Sequence, residues 1–197
     1  YYKTIVQFSR GEYANANNKE DDFAVAQSNG LPLRADDFGN SISAASPLWG
    51  SRGGTVDGVI EQAGDADVFF FTAAAGAFTA SLAPSSRSAN ADLVLTLFDA
   101  SGAQLATHNP LDGLGASLSY QLPAAGTYYI EVRTAGLGDP ASTGYTNYGS
   151  VGNYRVSTSF QSGGTPPSPV LTASASTGIA PVAITLNASQ STAAEGG

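Results

Sequence analysis

The sequence contains no cysteine and no methionine, and it has a single histidine. Without cysteine there is no disulfide framework and no thiolate metal site, which excludes a small disulfide-stapled module. No run of about 18 apolar residues occurs, so no membrane span is predicted. Charged residues make up only 12% of the chain and the net charge is −8. Because nucleic acid binding needs clustered lysine and arginine, we exclude nucleic acid as a partner.

The sequence also lacks the common catalytic motifs. No His-Glu-x-x-His pair occurs, and one histidine, His108, cannot supply the several ligands that a catalytic zinc needs. No Gly-x-Ser-x-Gly elbow is present, and Ser-His-Asp catalysis would have to use the same His108. Nothing selects one glycosidase-like pair from the 16 acidic residues. We therefore predict a chain without catalytic activity, in which His108 belongs to a hairpin strand or its turn.

What the sequence does contain is 23 glycines and a series of short apolar alternations. Alternating apolar and polar residues place one face of a strand against a core. Turn residues cluster between the alternations, for example at 99–102 and 123–126. The predicted strands lie at 56–60, 69–71, 78–82, 93–97, 104–108, 118–122, 128–132 and 154–160. This pattern predicts an all-β fold, an antiparallel and jelly-roll-like β-sandwich.

Residues 1–30 differ from this pattern and predict a short helical or irregular segment. Acidic residues follow Asn18 and Lys19, and Asn18 is a suitable N-cap because its side chain accepts from free N–H groups. The helix would then begin near Lys19. Its buried stripe would consist of Phe23, Val25 and Ala26.

Three further stretches are not predicted as part of the sandwich. Residues 31–50 are rich in Asp, Asn and Gly and predict a loop. The sequence QSGGTPPSP at 161–169 predicts a linker, flexible at its glycines and stiffer through its prolines. Residues 170–192 alternate like two strands around a turn at 178–181, too short a stretch to enclose a core. Since the chain opens on Tyr1 without an initiator Met, we expect it to be a piece of a larger protein.

The stretch GDADVFFFTAAAG at 64–76 is the most informative part of the chain. In an extended strand Asp65, Asp67, Phe69 and Phe71 share one side. The strand therefore drives aromatic rings into a core and holds two carboxylates at its entrance. This arrangement is either a turn into a sandwich or half of a calcium site.

We predict a calcium site that gathers Asp65 and Asp67 with the loop residues Asp36, Asp37 and Asn40. These side chains carry the oxygen ligands that a hard cation prefers. EF-hand spacing fails, because Val68 and Phe69 follow Asp67 where a ligand and a glycine should come. Carboxylates this close repel each other unless a cation or hydrogen bonds compensate. The alternative is that these residues only form turns and cap the entry of the aromatic strand.

Three tyrosines predict a second kind of site. Tyr145 and Tyr148 lie in a glycine-rich loop, and Tyr129 lies on the outward face of its predicted strand. Together they would form a platform for an extracellular protein or a polysaccharide. The alternative is that each ring packs against the sandwich and leaves its hydroxyl in water.

Five stretches in sequence order resemble the bacterial pre-peptidase C-terminal domain: GTVDGVI, GDADVFFFTAAAG, ADLVLTLFDASG, LPAAGTYYIEV and NYRVSTSF. The resemblance covers residues 34–160. It implies a β-sandwich appended to a secreted peptidase, often removed during maturation and implicated in secretion, folding or substrate attachment. It also implies a calcium site, because relatives in bacterial collagenases bind collagen and calcium. Their ligands come from a segment just before the sandwich and from the acidic turn into the aromatic strand.

Both flanks resemble other families. YYKTIVQFSRGEYANANNKEDD, running into RADDFGNS, looks like the end of a secreted zinc metalloprotease catalytic region. GIAPVAITLNASQST looks like the opening of a polycystic-kidney-disease-type (PKD) domain, without that family's Trp-Asp-Phe-Gly-Asp-Gly hallmark. The implied domains are a catalytic-region tail at 1–33, the sandwich at 34–161, a linker at 162–169 and a truncated PKD-like start at 170–197.

From the residues and these resemblances we predict a non-catalytic accessory module of a secreted, extracellular bacterial metalloprotease. Its cofactor would be calcium, and zinc would belong only to the catalytic domain, which this chain lacks. Its partners would be that parent catalytic domain and an extracellular protein or polysaccharide substrate. The alternative is a dedicated adhesion or matrix-binding domain in which the tyrosine loop is the working surface.

Overall fold

The fold is taken from a computed structural model that describes residues 8–50, 52–163, 170–174 and 184–191. Parts of three sequence-based predictions lie outside these ranges: residues 1–7 of the N-terminal segment, residues 164–169 of the linker predicted at 162–169, and the turn predicted at 178–181.

β-strand is the main regular structure of the described chain, and the strands follow the order that the alternation predicted. One helix and one 3-10 turn precede the main strands: α1 at Asp22–Ser28 and η1 at Ile42–Ala44. The strands are β1 Ser46–Pro47, β2 Thr55–Ile60, β3 Ala66–Ala73, β4 Gly76–Pro84, β5 Leu93–Phe98, β6 Gln104–His108, β7 Ala116–Leu122, β8 Gly126–Thr134, β9 Gly152–Ser159, β10 Thr172–Ala173 and β11 Leu186–Asn187.

Eight of these strands form a sandwich of two antiparallel sheets. One sheet has the order β2-β9-β4-β7, and the other has the order β3-β8-β5-β6, with β1 added at the edge of β3. From β2 to β9 consecutive strands alternate between the sheets, except for the hairpin of β5 and β6 within one sheet, and this is the strand order of a jelly roll. The predicted fold class is confirmed. The short β10 and β11 pair with each other as a separate antiparallel sheet.

The core lies between the two sheets, where the alternating residues predicted it. In β3, Phe69 and Phe71 are buried while Phe70 between them is exposed. Phe71 stacks on Phe78 of β4, with ring centroids 5.1 Å apart, and also contacts Phe160 after β9. The aromatic strand thus closes one sheet against the other and fixes where its N-terminal end, with the two aspartates, is placed.

His108 has a structural role at the end of β6. Its Nδ1 accepts a hydrogen bond from the Ser117 N–H at 3.0 Å, which joins a strand of one sheet to a strand of the other. The prediction that His108 lies on a hairpin strand is confirmed. A hydrogen bond of this kind links two strands and so stabilises the closed sandwich.

The helix prediction was wrong in its start, its cap and its buried stripe. The helix begins at Asp22, and Asp21 is the N-cap, accepting from Ala24 N–H at 3.0 Å. Asn18 instead accepts from the Glu20 N–H and closes a local turn. No residue of the helix is fully buried, and Val25 is exposed. Asp21 is held in the N-cap position because its carboxylate also accepts a hydrogen bond from the Tyr148 hydroxyl.

The loop prediction for residues 31–50 needs one correction. Within it, β1 pairs in parallel with β3, so that Pro47 lies beside Phe70. The sequence did not predict this strand, because it has only two residues and lies in a stretch with the composition of a turn. In the described part of the chain no helix is long and apolar enough to cross a membrane.

Candidate functional site

Five carboxylates meet where β2 ends and β3 begins. Glu61 directly follows β2, Asp65 lies in the turn that follows, and Asp67 is the second residue of β3. Asp36 and Asp37 come from the loop before η1. The fold thus brings carboxylates from three separate segments to one edge of the sandwich.

Their oxygen atoms are close enough to share a cation. One atom each from Asp36, Asp37 and Glu61 lies within 4.8 Å of the others. The same holds for Asp36, Asp65 and Asp67. Asp36 therefore belongs to both groups. We refer to these five residues as the carboxylate cluster.

Local hydrogen bonds hold the cluster in place. Asp65 Oδ2 accepts from the Glu61 N–H at 2.9 Å and closes the turn between them. Asn40 donates its side-chain N–H to Asp36 Oδ2 at 2.9 Å, and its Oδ1 accepts from the Ala66 N–H at 2.7 Å. Asn40 was predicted as an oxygen ligand, but the structure uses its oxygen to fasten the loop to β3. Its side chain positions Asp36.

The inner members of the cluster are buried, and several of their carboxylate oxygens accept no hydrogen bond from the described residues. Asp67 is 0% exposed, Asp65 4% and Glu61 9%. Five buried carboxylate oxygens accept no hydrogen bond from the described residues: Asp37 Oδ1, Glu61 Oε1 and Oε2, Asp65 Oδ1 and Asp67 Oδ1. Buried polar atoms are nearly always paired, so this concentration of unpaired acceptors is unusual.

Protonation is favoured at three of these groups. Burial raises the pKa of Glu61 to about 8, with further contributions from Asp65 and the other carboxylates. Burial raises the pKa of Asp67 to about 7, against the hydrogen bond from Tyr154. The pKa of Asp37 is also raised by burial. These shifts mean that without a cation the cluster favours binding protons near neutral pH.

One hydroxyl and one guanidinium compensate part of the charge. Tyr154 of β9 donates its hydroxyl to Asp67 Oδ2 at 2.6 Å. Its ring passes directly over Gly58, where an added Cβ would lie 2.3 Å from the Tyr154 hydroxyl oxygen. Arg34 is 4.0 Å from both Asp37 and Glu61, at the limit of an ion pair. Among the residues that the structure describes, Arg34 is the one basic residue that forms ion pairs with the cluster.

A groove of about 510 Å³ opens beside the cluster. Arg34, Asp37 and Tyr154 line one part of it, and the Asp57–Arg155 pair lines another. Asp37 and Tyr154 thus belong both to the cluster and to the groove wall, so an ion or solvent has a route to the carboxylates from this side.

The residues present fit a hard divalent cation. Calcium takes six to eight oxygen ligands, often from carboxylates, and the cluster supplies only oxygen donors. The unpaired buried oxygens of Glu61, Asp65 and Asp67 are the observation that makes the fit specific. Asp36 and Asp37 would complete the donor set from the loop side.

The structure brings together four of the five predicted metal ligands and adds two residues that the sequence did not suggest. Asp36, Asp37, Asp65 and Asp67 meet as predicted. Glu61 was missed because it follows the buried Ile60, and alternation would place it outside. Tyr154 was missed because its link to Asp67 depends on strand pairing across from Gly58, which no local pattern shows.

The tyrosine platform is not assembled as predicted. Tyr148 is only 7% exposed, and its hydroxyl binds within the protein, so the prediction that it offers a surface ring is wrong. Tyr145 is half-buried next to it. Tyr129 lies elsewhere, on the outer face of the five-stranded sheet, in register with Phe70 and Phe98.

Comparisons with known proteins agree with the sequence resemblance over the centre of the sandwich. Residues 65–134 match the family model described as the bacterial pre-peptidase C-terminal domain. The matched range runs from Asp65 of the carboxylate cluster to the end of β8. The resemblance is confirmed for these residues, and the metalloprotease tail and PKD-like start stay predictions.

Solved structures that are similar to the chain include the following two. One is the pre-peptidase C-terminal domain of a collagenase from Bacillus anthracis, with 17% identity, a TM-score of 0.42, and coverage of 64% of this chain and 97% of that one. The other is PliG of Aeromonas hydrophila, a periplasmic inhibitor of g-type lysozyme, with 19% identity, a TM-score of 0.41, and coverage of 59% and 96%. No curated protein matches the chain.

Proposed function

We propose that the chain is a non-catalytic accessory module of a secreted bacterial metalloprotease and that calcium stabilises it at the carboxylate cluster. The observation that carries the calcium proposal is the set of buried, unpaired oxygens of Glu61, Asp65 and Asp67. The family match at residues 65–134 supports the accessory role and the extracellular setting. Any zinc would belong to the parent catalytic domain.

The cation would act as a staple between segments. Asp36 and Asp37 lie before the sandwich in sequence, whereas Glu61, Asp65 and Asp67 lie within it. A cation held by both sets fastens the loop to the sheet edge and removes the repulsion among the carboxylates. Because it binds the folded chain and not the unfolded one, it stabilises the fold by about 2.7 kcal/mol at a hundredfold excess over its Kd.

Thermal melting in calcium and in EDTA tests the staple. We expect calcium chloride to raise the melting temperature by several degrees, since about 1 kcal/mol shifts a domain of this size by 2–4 °C. The double variant Asp65→Asn with Asp67→Asn should lose this response. Asp112→Asn, an exposed aspartate in the β6–β7 loop, is the matched control and should keep it. An unchanged melting temperature of the wild-type protein, or a shift that survives in the double variant, would remove the calcium proposal.

The absence of catalysis is supported by the role of His108. The only histidine in the sequence accepts a hydrogen bond from Ser117 and bridges two strands, so it serves the fold. A casein hydrolysis assay with added zinc should therefore show no turnover. Robust hydrolysis that disappears in His108→Ala would overturn the accessory role.

A second candidate function is attachment to an extracellular protein or polysaccharide. A specific observation favours it: Phe70, Tyr129 and Phe98 lie side by side on three neighbouring strands of the outer sheet face. Phe70 is 38% exposed, although it is flanked by buried rings in the same strand. Pull-down on insoluble collagen or polysaccharide should weaken in Phe70→Ala and Tyr129→Ala. Binding that is unchanged in both variants would count against this surface.

A further inference from the structure

The N-terminal segment docks onto a loop of the sandwich. Residues 8–29, which we call the strap, lie against residues 144–149 between β8 and β9, which we call the strap-binding loop. The metalloprotease resemblance would make the strap the end of a preceding domain. Its contacts join it to the sandwich through four side chains: Glu12, Asp21, Phe23 and Arg10.

Glu12 forms the first attachment. Its carboxylate accepts from the Thr146 N–H at 3.1 Å and from the Thr146 hydroxyl at 2.5 Å. Arg10 pairs with the same carboxylate at 2.8 Å. The pKa of Glu12 is lowered by its hydrogen bonds to Thr146 and by Arg10, in opposition to burial. The ionised carboxylate is thus the bound form.

Tyr148 forms the second attachment. Its hydroxyl donates to Asp21 and accepts from the Phe23 N–H at 3.0 Å. Its ring contacts Phe23 at 5.0 Å between centroids, and the Arg10 guanidinium lies 4.7 Å over the ring. Burial and Asp21 raise the pKa of Tyr148 to about 12. We call the contacts of Glu12 and Tyr148 the clasp.

The strap is held mainly by the clasp and by its own closure. Ser9 and Asp22 exchange two backbone-anchored hydrogen bonds, which close the strap into a loop. Among the residues of the strap that the structure describes, only Ala16 is fully buried. A segment with so little buried apolar surface opens at a lower free-energy cost than the sandwich core. We therefore expect local opening of this molecule to begin with undocking of the strap.

Asn147 connects the strap-binding loop to the carboxylate cluster. It lies between the two clasp residues Thr146 and Tyr148. Its side-chain N–H donates to the Ala63 carbonyl at 2.6 Å and to the Thr134 carbonyl at 3.2 Å. Ala63 is in the turn that carries Glu61 and Asp65. One side chain thus ties the turn of the cluster to the loop that the strap grips.

We propose that docking of the strap and binding of a divalent cation at the carboxylate cluster are coupled through Asn147. A docked strap fixes residues 146–148 and so holds the turn at 61–65 in the arrangement that the cation needs. An undocked strap leaves that turn free to move. The coupling to the cation rests on the proposed calcium site. The mechanical link between the strap and the turn at 61–65 applies to the calcium-free protein as well.

Coupling of this kind is reciprocal. If docking of the strap strengthens cation binding by some factor, the cation must strengthen docking by the same factor. Couplings between sites are commonly fivefold or more. Calcium should therefore slow amide exchange in the strap, although Tyr148 and Glu12 are not members of the cluster.

The test uses the full chain, calcium chloride, titration calorimetry and amide hydrogen exchange. Tyr148→Phe removes the hydroxyl that binds Asp21 and Phe23 but keeps the ring, and Glu12→Gln weakens the other attachment. Tyr120→Phe, in β7 at the opposite edge of its sheet from β2, is the matched control. We expect the clasp variants to speed exchange at 9–22 and at 61–66 and to weaken calcium binding at least fivefold. The control should change neither quantity.

The outcomes separate this inference from the calcium proposal. If the wild-type protein binds no calcium, the proposed function and the coupling to the cation both fail, and exchange at 61–66 in the calcium-free variants still decides the mechanical link between the strap and the turn at 61–65. Faster exchange there supports it. Exchange that rises in the strap alone, with calcium affinity within twofold of wild type, overturns the coupling. If even the combined clasp variant leaves strap exchange unchanged, the clasp does not hold the strap and the inference is wrong.

Discussion

Two groups of acidic residues in this molecule show opposite environments. In the clasp, Glu12 and Asp21 each accept hydrogen bonds from the chain, and the pKa of each is lowered. In the carboxylate cluster, Glu61 and Asp67 are buried with unpaired oxygens, and the pKa of each is raised. The carboxylates of the clasp are thus hydrogen-bonded by the chain itself, whereas those of the cluster are left for protons or a cation to neutralise.

The difference separates structural acids from candidate ligands. A carboxylate that is ionised and fully hydrogen-bonded contributes to stability as it stands. Buried carboxylates that repel each other cost stability unless protons or a cation neutralise them. We expect a neutral substitution to stabilise the calcium-free protein when it is made in the cluster and to destabilise it when it is made in the clasp, which provides ways to test the comparison.

The largest expected effect is the pH dependence of the calcium-free protein. The pKa values of Glu61 and Asp67, about 8 and about 7, lie above the value of about 4 in an unfolded chain. As the pH rises from 5 to 8 the unfolded chain has already lost these protons while the folded one retains them, so stability falls. At about 1.4 kcal/mol per pKa unit, we expect a loss of about 3 kcal/mol or more.

Urea unfolding at pH 5, 6, 7 and 8 in EDTA measures this loss. Calcium should flatten the curve, because the cation replaces the protons on the same carboxylates. Stability that rises with pH in EDTA would show that the cluster is already compensated by the chain.

The second prediction concerns Glu61→Gln. Gln carries no charge and brings an N–H₂ group that can donate to neighbouring carboxylates, so the calcium-free protein should gain about 2 kcal/mol at pH 8. The variant should also lose most of its response to calcium. Glu131→Gln, which affects a half-buried acid paired with Arg133 on the outer sheet face, is the control. Destabilisation by Glu61→Gln in EDTA would contradict the environment assigned to the cluster.

The third prediction concerns Glu12→Gln, the same substitution in the clasp. It weakens the hydrogen bonds from Thr146 and the pair with Arg10, so stability should fall by about 1 kcal/mol. Because the pKa of Glu12 is lowered, its contribution is present above the unfolded value and is lost as the pH falls through the folded value. Unfolding with and without calcium at pH 7 should show a loss in both conditions. A gain of stability in EDTA, as expected for Glu61→Gln, would contradict the difference between the clasp and the cluster.

Much of the fold could be predicted from local patterns. Alternation at Phe69 and Phe71, at Leu93 to Leu97 and at Tyr128 to Val132 identifies strands because each has one face in the core. Alternation does not predict which strands pair or which distant side chains meet. The two-residue β1 has no room to alternate, and the cap of α1 moved to Asp21 because that carboxylate also binds the distant Tyr148.

The candidate site was predictable only where acids stand beside turns. Asp36, Asp37, Asp65 and Asp67 share that signal, and the structure brings them together. Glu61 has no such signal, since its burial arises from the turn that Asp65 closes. Tyr148 was misplaced for a related reason, because its partner Asp21 lies 127 residues away.

The smallest expected effect concerns a third pair of charges, Asp57 and Arg155. Arg155 donates two hydrogen bonds to Asp57 at 2.6 and 2.8 Å across β2 and β9, and the pair lowers the pKa of Asp57. Both side chains are exposed, however, and exposed pairs contribute little because water and salt screen them. Arg155→Gln should leave the melting temperature within the scatter of repeated scans, with or without calcium. A clear loss would show that the groove wall beside Tyr154 supports the cluster, which would extend the cation-sensitive region beyond the five carboxylates.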